Sequence, residues 1–138
     1  IAHVAAEDAS VGEVYAGVIQ KIDPTLTVLA MLNTPDIDIL TSKGIRVAYE
    51  IFADRAYLDN GRLMPRGQPG AIIHDSDEAA SRIVEMVSNQ CIISHTGKRI
   101  PTQIDSICVH GDTPDAAPIA RKVRQALENV GWSIRPFC

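Results

Sequence analysis

The sequence has few cysteines, few aromatic residues and no run of charge of one sign. It contains 3 cysteines in 138 residues, and aromatic residues make up 4%. Three widely spaced cysteines exclude a disulfide framework and a paired-cysteine zinc site, so a reducing, cytoplasmic location is expected. The formal net charge is −4. Without a basic run, neither nucleic acid nor an anionic membrane is expected as the main partner.

The sequence also lacks a membrane-spanning apolar run, a signal pattern at its start and any internal repeat. Its only glycine-rich candidate, Gly67-Gln-Pro-Gly70, lacks the lysine and the Ser/Thr of a phosphate-binding P-loop. The chain starts at Ile1 and not at methionine. Its hydrophobic content of 46% suits one compact domain or part of a larger one.

Apolar residues recur at helical spacing in some segments and form short strand-like runs in others. Because these two kinds of segment alternate along the chain, they predict βαβ units and an α/β fold with a parallel sheet or barrel. Pro118 predicts an irregular first turn in the last helix. The segment 70–74 is either a short strand or the end of a loop, and Asp75 is expected to cap the helix that follows. Helices are predicted at about 7–22, from Thr34-Pro35 to Gly44, at about 76–89 and from Thr113-Pro114 to Gly131. Strands are predicted at 27–31, 45–52, 91–94, 99–100, 105–109 and 132–136.

A long connection runs from Glu50 to His74. Long connections in compact domains are usually functional or disordered. This one carries apolar residues such as Tyr57, Leu63 and Met64, which a solvated linker does not need. It is therefore expected to be an ordered, functional loop.

Two predicted strands end in polar clusters, and functional groups of parallel α/β folds gather at the carboxyl ends of strands. Gly111 permits a sharp turn beside a ligand, and the helix that follows favours an anionic group. Arginines of the loop suit planar anion recognition. The first cluster contains Glu50, Asp54 and Arg55, the second contains Cys108, His110 and Asp112, and the loop adds Arg62, Arg66 and Gln68.

Each candidate also has a structural interpretation. Glu50 and Arg55 suit an ion pair, Asp112 a helix cap, His110 a hydrogen-bonded structural histidine and Cys108 a small buried side chain. His74 is a lesser candidate. His3 and His95 are expected at the surface, and Asp59-Asn-Gly61 is interpreted as a turn and nothing more. Together the acid/base groups suit hydrolysis or amide chemistry. No metal-ligand spacing such as His-x-x-x-His is present.

At these clusters the chain resembles the LamB/YcsF family, whose members are the A subunit of prokaryotic-type 5-oxoprolinase. The resemblance covers almost the whole chain and rests on rare motifs. The matching runs are Glu50-Ile-Phe-Ala-Asp-Arg-Ala-Tyr57, Gly61-Arg-Leu-Met-Pro-Arg66, Gln68-Pro-Gly-Ala-Ile-Ile-His-Asp75, Cys108-Val-His-Gly-Asp-Thr-Pro114 and Ile134-Arg-Pro-Phe137.

The resemblance implies a distorted (β/α) barrel related to the glycoside hydrolase/deacetylase fold. Family members are about twice this length, and the motifs of their first half do not occur here. Residues 1–138 are thus expected to be the C-terminal half of such a barrel. Open sheet edges would favour pairing with itself or with another chain.

The family's activity implies ATP-dependent opening of 5-oxoproline (pyroglutamate) to glutamate, carried out with partner subunits B and C. By resemblance, Arg55 or Arg66 would hold a substrate carboxylate or a phosphorylated intermediate, and Gln68 and Gly111 would contact substrate. Asp54 or Glu50 would act as a base for water or orient His110. His110 with Asp112 would move a proton or bind a metal.

Two alternatives stay open at this point. One is a metal-dependent hydrolase of carbohydrate or amide substrates. Such an enzyme would resemble the related deacetylases and would act in a carbohydrate metabolic process. The other is a non-catalytic half that only binds a partner. Because half of the barrel's motifs are missing, the 138 residues on their own are expected to be inactive.

Overall fold

A computed structural model describes residues 8–136, which form two compact units, one ending at Glu50 and the other starting at Ile51. The interpretations of His3 and of a helix start at Glu7, together with Phe137 and Cys138, lie outside these residues. The elements in chain order are α1 (Ala9–Ile22), β1 (Thr27–Ala30), α2 (Pro35–Ser42), β2 (Arg46–Phe52), α3 (Ser76–Asn89), β3 (Cys91–Ile93), β4 (Arg99–Pro101), β5 (Ser106–Cys108) and α4 (Ala116–Asn129).

The first unit is a βαβ unit preceded by α1. The side chain of Asp8 accepts the N–H of Ser10 and so caps α1. β1 and β2 pair in parallel, from Thr27 opposite Arg46 to Ala30 opposite Tyr49. Its core contains Ala16, Ile19, Val28, Leu40 and Ile45.

The second unit starts at the end of β2, which neighbours β5. The N–H of Ala53 donates to the carbonyl of Cys108 at 3.0 Å, so the chain leaves both strands at the same edge. α3 and α4 pack together, and β3 and β4 form an antiparallel hairpin. The largest fully buried apolar side chains of this unit are Ile83, Met86, Ile92 and Ile119.

The alternation of helices with parallel strands confirms the predicted α/β class. Gly44, at φ +73°, follows α2 as expected of a residue that ends a helix. Asp75 caps α3 by accepting the N–H groups of Asp77 and Glu78. No helix between residues 8 and 136 combines the length and apolar character needed to cross a bilayer.

Two predicted elements differ from the structure. The last helix starts at Ala116 and not at Thr113-Pro114. Pro118 lacks an N–H and is tolerated only in a first turn, so the helix cannot start four residues before it without losing a hydrogen bond.

The predicted strand at 132–136 is also wrong, because these residues are exposed and form no strand. A strand needs a neighbouring strand for its hydrogen bonds. Instead, the N–H of Trp132 donates to the carbonyl of Leu127 at the end of α4.

Candidate functional site

The connection between β2 and α3 is ordered by its own hydrogen bonds. The N–H of Ala56 donates to the carbonyl of Ala71, and its carbonyl accepts the N–H of Met64. These three residues form a small core of the loop. The segment after β2 thus makes backbone hydrogen bonds to a neighbouring segment on each side, as expected for an ordered loop. Two antiparallel bridges repeat this pattern, Arg55 with Ile72 and Tyr57 with Leu63.

Arg55 holds this loop together from inside. Its side chain is buried, with Nη2 at 2.5 Å from the carbonyl oxygen of Met64 and Nε at 3.4 Å from that of Ala71. Burial lowers the pKa of the Arg55 guanidinium, and the nearby positive charge of Arg66 lowers it further. The structural contacts of Arg55 are therefore with loop carbonyls, and its predicted contact with substrate stays a prediction.

Asp59 joins the tip of the loop to the β3–β4 hairpin. Its carboxylate accepts the hydroxyls of Ser94 and Thr96, both at 2.6 Å. These hydrogen bonds lower the pKa of the Asp59 carboxyl. The interpretation of Asp59-Asn-Gly61 as a turn and nothing more is thus wrong. Ser94 and Thr96 lie 35 and 37 residues after Asp59 in the sequence, so the local turn pattern cannot reveal them as its partners.

The loop after β5 contacts the loop after β2 through three side-chain pairs. Each pair joins one residue of 54–74 to one residue of 110–115. The pairs are Asp54 with His110, Arg66 with Asp112 and His74 with Asp115. The two loops therefore form a charged seam at the carboxyl ends of neighbouring strands, which is where parallel α/β folds place their sites.

Asp54 and His110 form the buried part of this seam. The Asp54 side chain is 3% exposed, and its carboxylate lies 2.9 and 3.0 Å from Nδ1 of His110. It also accepts the backbone N–H of His110 at 3.1 Å. A carboxylate only accepts hydrogen bonds, so Nδ1 of His110 donates to it; in a neutral ring Nε2 is then the acceptor nitrogen.

The imidazole of His110 is held on its face as well as at its edge. The ring of Phe52 stacks on it with centroids 5.3 Å apart and planes 17° from parallel. The His110 side chain is 22% exposed. Asp54 and Phe52 thus fix the position of the ring, and the side chain as a whole stays partly exposed.

The other two pairs are at the surface. Arg66 Nη1 lies 3.1 Å from a carboxylate oxygen of Asp112, with side chains 44% and 61% exposed. Nδ1 of His74 lies 3.0 Å from a carboxylate oxygen of Asp115. Exposed pairs of this kind contribute little to stability and exchange partners readily. Arg66 can therefore turn to an incoming anion.

His110 pairs with Asp54, one of the two carboxylates that the resemblance offered to orient it, and Asp112 pairs with Arg66. The joint proton transfer or metal binding expected of His110 with Asp112 stays a prediction. Asp112 is not the helix cap, because α4 begins at Ala116, directly after Asp115.

Three of the remaining predicted residues belong to the second unit. Gln68 and Gly111 are exposed in the two loops of the second unit, and Cys108 is half-buried in β5. Glu50 is half-buried and belongs to the first unit. Asp115 and Phe52 were not among the predicted site residues. Phe52 could have been found, because it is the last residue of β2 and lies two residues before Asp54.

No group of three His, Cys, Asp or Glu side chains gathers as a metal site anywhere in residues 8–136. The Asp54–His110 pair supplies two such groups. Metal ligation by this pair would need ligands from outside the described residues.

Several known proteins are similar to this chain. The sequence profile of the LamB/YcsF family matches residues 1–138. The chain is 43% identical over 137 residues to the 5-oxoprolinase A subunit from Rhodopseudomonas palustris BisB5, covering 99% of this chain and 54% of the relative. It is 44% identical, with the same coverage, to the 5-oxoprolinase A subunit from Azorhizobium caulinodans.

A crystal structure of the lactam utilization protein from Thermus thermophilus has the same fold, with a TM-score of 0.83 at 35% identity. The superposition covers 91% of this chain and 50% of that protein. The chain therefore spans about half the length of the curated relatives it matches. With a matching profile over all its residues and a shared fold, the chain belongs to the LamB/YcsF family.

Proposed function

We propose that this chain supplies part of the active site of a 5-oxoprolinase-type hydrolase, which opens the lactam ring of 5-oxoproline to give L-glutamate. The relatives named as 5-oxoprolinase A subunits and the lactam utilization protein support this substrate class. The observation that carries the proposal is the buried contact between Asp54 and His110 at the strand ends.

Ring opening adds water across an amide bond, so one proton must leave the water and one must reach the leaving nitrogen. Nε2 of His110 is the nitrogen that takes up the first proton. Asp54 holds the ring through Nδ1 and stabilises the imidazolium that forms, as an aspartate does in hydrolases of other folds. The protonated His110 then delivers a proton to the ring nitrogen as the C–N bond breaks.

5-Oxoproline carries a carboxylate beside its lactam, and Arg66 is the cation best placed to bind it. Its exposed pairing with Asp112 is weak enough to be replaced by a ligand carboxylate. Arg55 is held by carbonyls of the loop. Its role is to fix the position of the loop and to add positive charge beside Arg66.

ATP and partner subunits B and C belong to the proposal through the resemblance. ATP would supply the free energy that drives ring opening. Arg66 is suited to a phosphoryl oxygen as well as to a carboxylate. The sequence has no P-loop, so most of a nucleotide site would come from residues outside this chain or from the partner subunits.

The test uses a full-length domain, in which this chain is joined to the unmatched part of the Rhodopseudomonas palustris relative in the order in which the two parts occur there. Glutamate release from 5-oxoproline is measured with ATP and subunits B and C. His110→Gln is expected to lower kcat by about 100-fold or more, as expected for the loss of general acid–base catalysis. The matched control His95→Gln, at an exposed histidine of the hairpin turn, should keep normal turnover. Normal turnover by His110→Gln would refute the proposal.

A further inference from the structure

One side of α1 carries apolar side chains that remain exposed. Val14, Val18 and Ile22 follow each other at every fourth residue, which places them on one side of the helix. They are 68%, 47% and 75% exposed. The opposite side of α1 is buried through Ala16 and Ile19. A helix that is apolar on both sides is typical of one that is covered on both sides.

Gly17 lies next to this α1 apolar face, formed by Val14, Val18 and Ile22. A glycine inside a helix is less favourable than alanine. A Cβ added at Gly17 would meet nothing within 4 Å. The described chain thus gives no packing reason for glycine here, whereas a second element packing closely against α1 would.

Two more apolar side chains of the same unit are exposed. Leu26, just before β1, is 47% exposed, and Leu29 within β1 is 44% exposed. Single exposed apolar residues are normal, but five in a unit of this size point to an interaction surface.

The comparisons indicate what covers this surface. This chain accounts for 54% of the Rhodopseudomonas palustris relative and 50% of the Thermus thermophilus protein. Its fold is retained in the latter with a TM-score of 0.83, within a protein about twice as long. About half of each of these proteins therefore lies outside the part that matches this chain and could pack against it.

We propose that the α1 apolar face docks the part of a LamB/YcsF domain that lies outside these 138 residues, with Gly17 allowing its close approach. This holds whether that part belongs to the same polypeptide or to a second one. The proposal does not depend on the reaction proposed above.

Cysteine labelling tests the docking. Val18→Cys places a thiol in the α1 apolar face, and Glu13→Cys places one on a different side of the same exposed helix. Both are labelled with a maleimide in the 138-residue chain and in the full-length joined domain. The labelling of the native cysteines, measured in the parent protein, is subtracted from each labelling rate. Circular dichroism verifies that each variant is folded.

In the 138-residue chain both cysteines should react quickly. In the joined domain Val18→Cys should react at least about tenfold more slowly, because the face is covered, while Glu13→Cys keeps its rate. Equal rates for Val18→Cys in the two proteins would overturn the proposal. Slow labelling in the 138-residue chain, together with elution as a dimer, would also overturn it by identifying a second copy as the occupant.

Gly17→Ala provides a second, independent measurement. In the 138-residue chain it should raise the melting temperature by a few degrees, since alanine favours the helix and meets no neighbour. In the joined domain the same change should lower the melting temperature because the added methyl group enters the contact. An increase of equal size in both proteins would refute the role of Gly17.

Discussion

Replacing Asp54 by asparagine removes the charge that holds His110. The Asp54 side chain is 3% exposed and accepts both Nδ1–H and the backbone N–H of His110. A hydrogen bond to a charged group contributes about 1.5–3 kcal/mol. An asparagine keeps one acceptor oxygen, and water reaches part of the His110 ring. We therefore expect Asp54→Asn to lower the free energy of unfolding by about 2–3 kcal/mol.

Urea unfolding followed by the fluorescence of Trp132, which is in the same unit, measures this loss. The cycle of Asp54→Asn, His110→Gln and the double variant should give a coupling energy of about 1–2 kcal/mol. Asp112→Asn is the matched control. Its carboxylate is 61% exposed, so the change should cost less than about 1 kcal/mol. Additive effects in the cycle, or equal losses for Asp54→Asn and Asp112→Asn, would refute the assignment of the buried pair.

Three further predictions concern the loop and its anchors. Hydrogen bonds from the hydroxyls of Ser94 and Thr96 lower the pKa of the folded-state Asp59 carboxyl below its usual 3.8. The stabilisation that these bonds provide is therefore present above pH 3.8 and is lost as the pH falls through the folded-state pKa. The difference in melting temperature between Asp59→Asn and the parent should therefore shrink between about pH 6 and about pH 2; a constant difference would contradict this. Arg55→Met should lower the free energy of unfolding by about 2–4 kcal/mol, because the carbonyl of Met64 loses the guanidinium that donates to it and the carbonyl of Ala71 keeps only the N–H of Ala56. Faster proteolysis within residues 56–71 would locate that effect, and unchanged cleavage would contradict it. Gly97→Ala should cost about 1–2 kcal/mol in chemical unfolding because φ is +87° there, whereas Gly67→Ala, with open space, should be nearly neutral; equal effects would refute the strain argument.

Local patterns in the sequence predicted most of the second unit. The Asp75 cap, the β3–β4 hairpin and the helix ending at Asn89 each depend on residues close in the chain, and each is present. The order of the loop after β2 was also predictable, since its apolar residues needed a core of their own.

The partners of the charged residues were not predictable in the same way. Asp54 and His110 are 56 residues apart, and Arg66 and Asp112 are 46 apart. Parity along a strand shows which side a residue faces, but not which residue of another loop it meets. The resemblance offered Asp54 as one of two carboxylates that could orient His110, whereas the pairing of Arg66 with Asp112 was not expected. Asp59 finds its partners in the β3–β4 hairpin, which local turn rules do not include.

The first unit shows a different limit. Val14, Val18 and Ile22 recur at helical spacing, and the helix predicted at about 7–22 is present as α1. All three are apolar positions of that pattern. Their exposure in the folded chain could not be deduced, because periodicity does not say which apolar side of a helix is covered.

NMR of ¹⁵N-labelled histidines shows directly whether Asp54 orients His110. We expect the neutral His110 ring to carry its proton on Nδ1, with Nε2 unprotonated, and Asp54→Asn to shift this balance towards Nε2–H. If the ring instead carries its proton mainly on Nε2 in the parent protein, and Asp54→Asn leaves this unchanged, Asp54 does not orient His110.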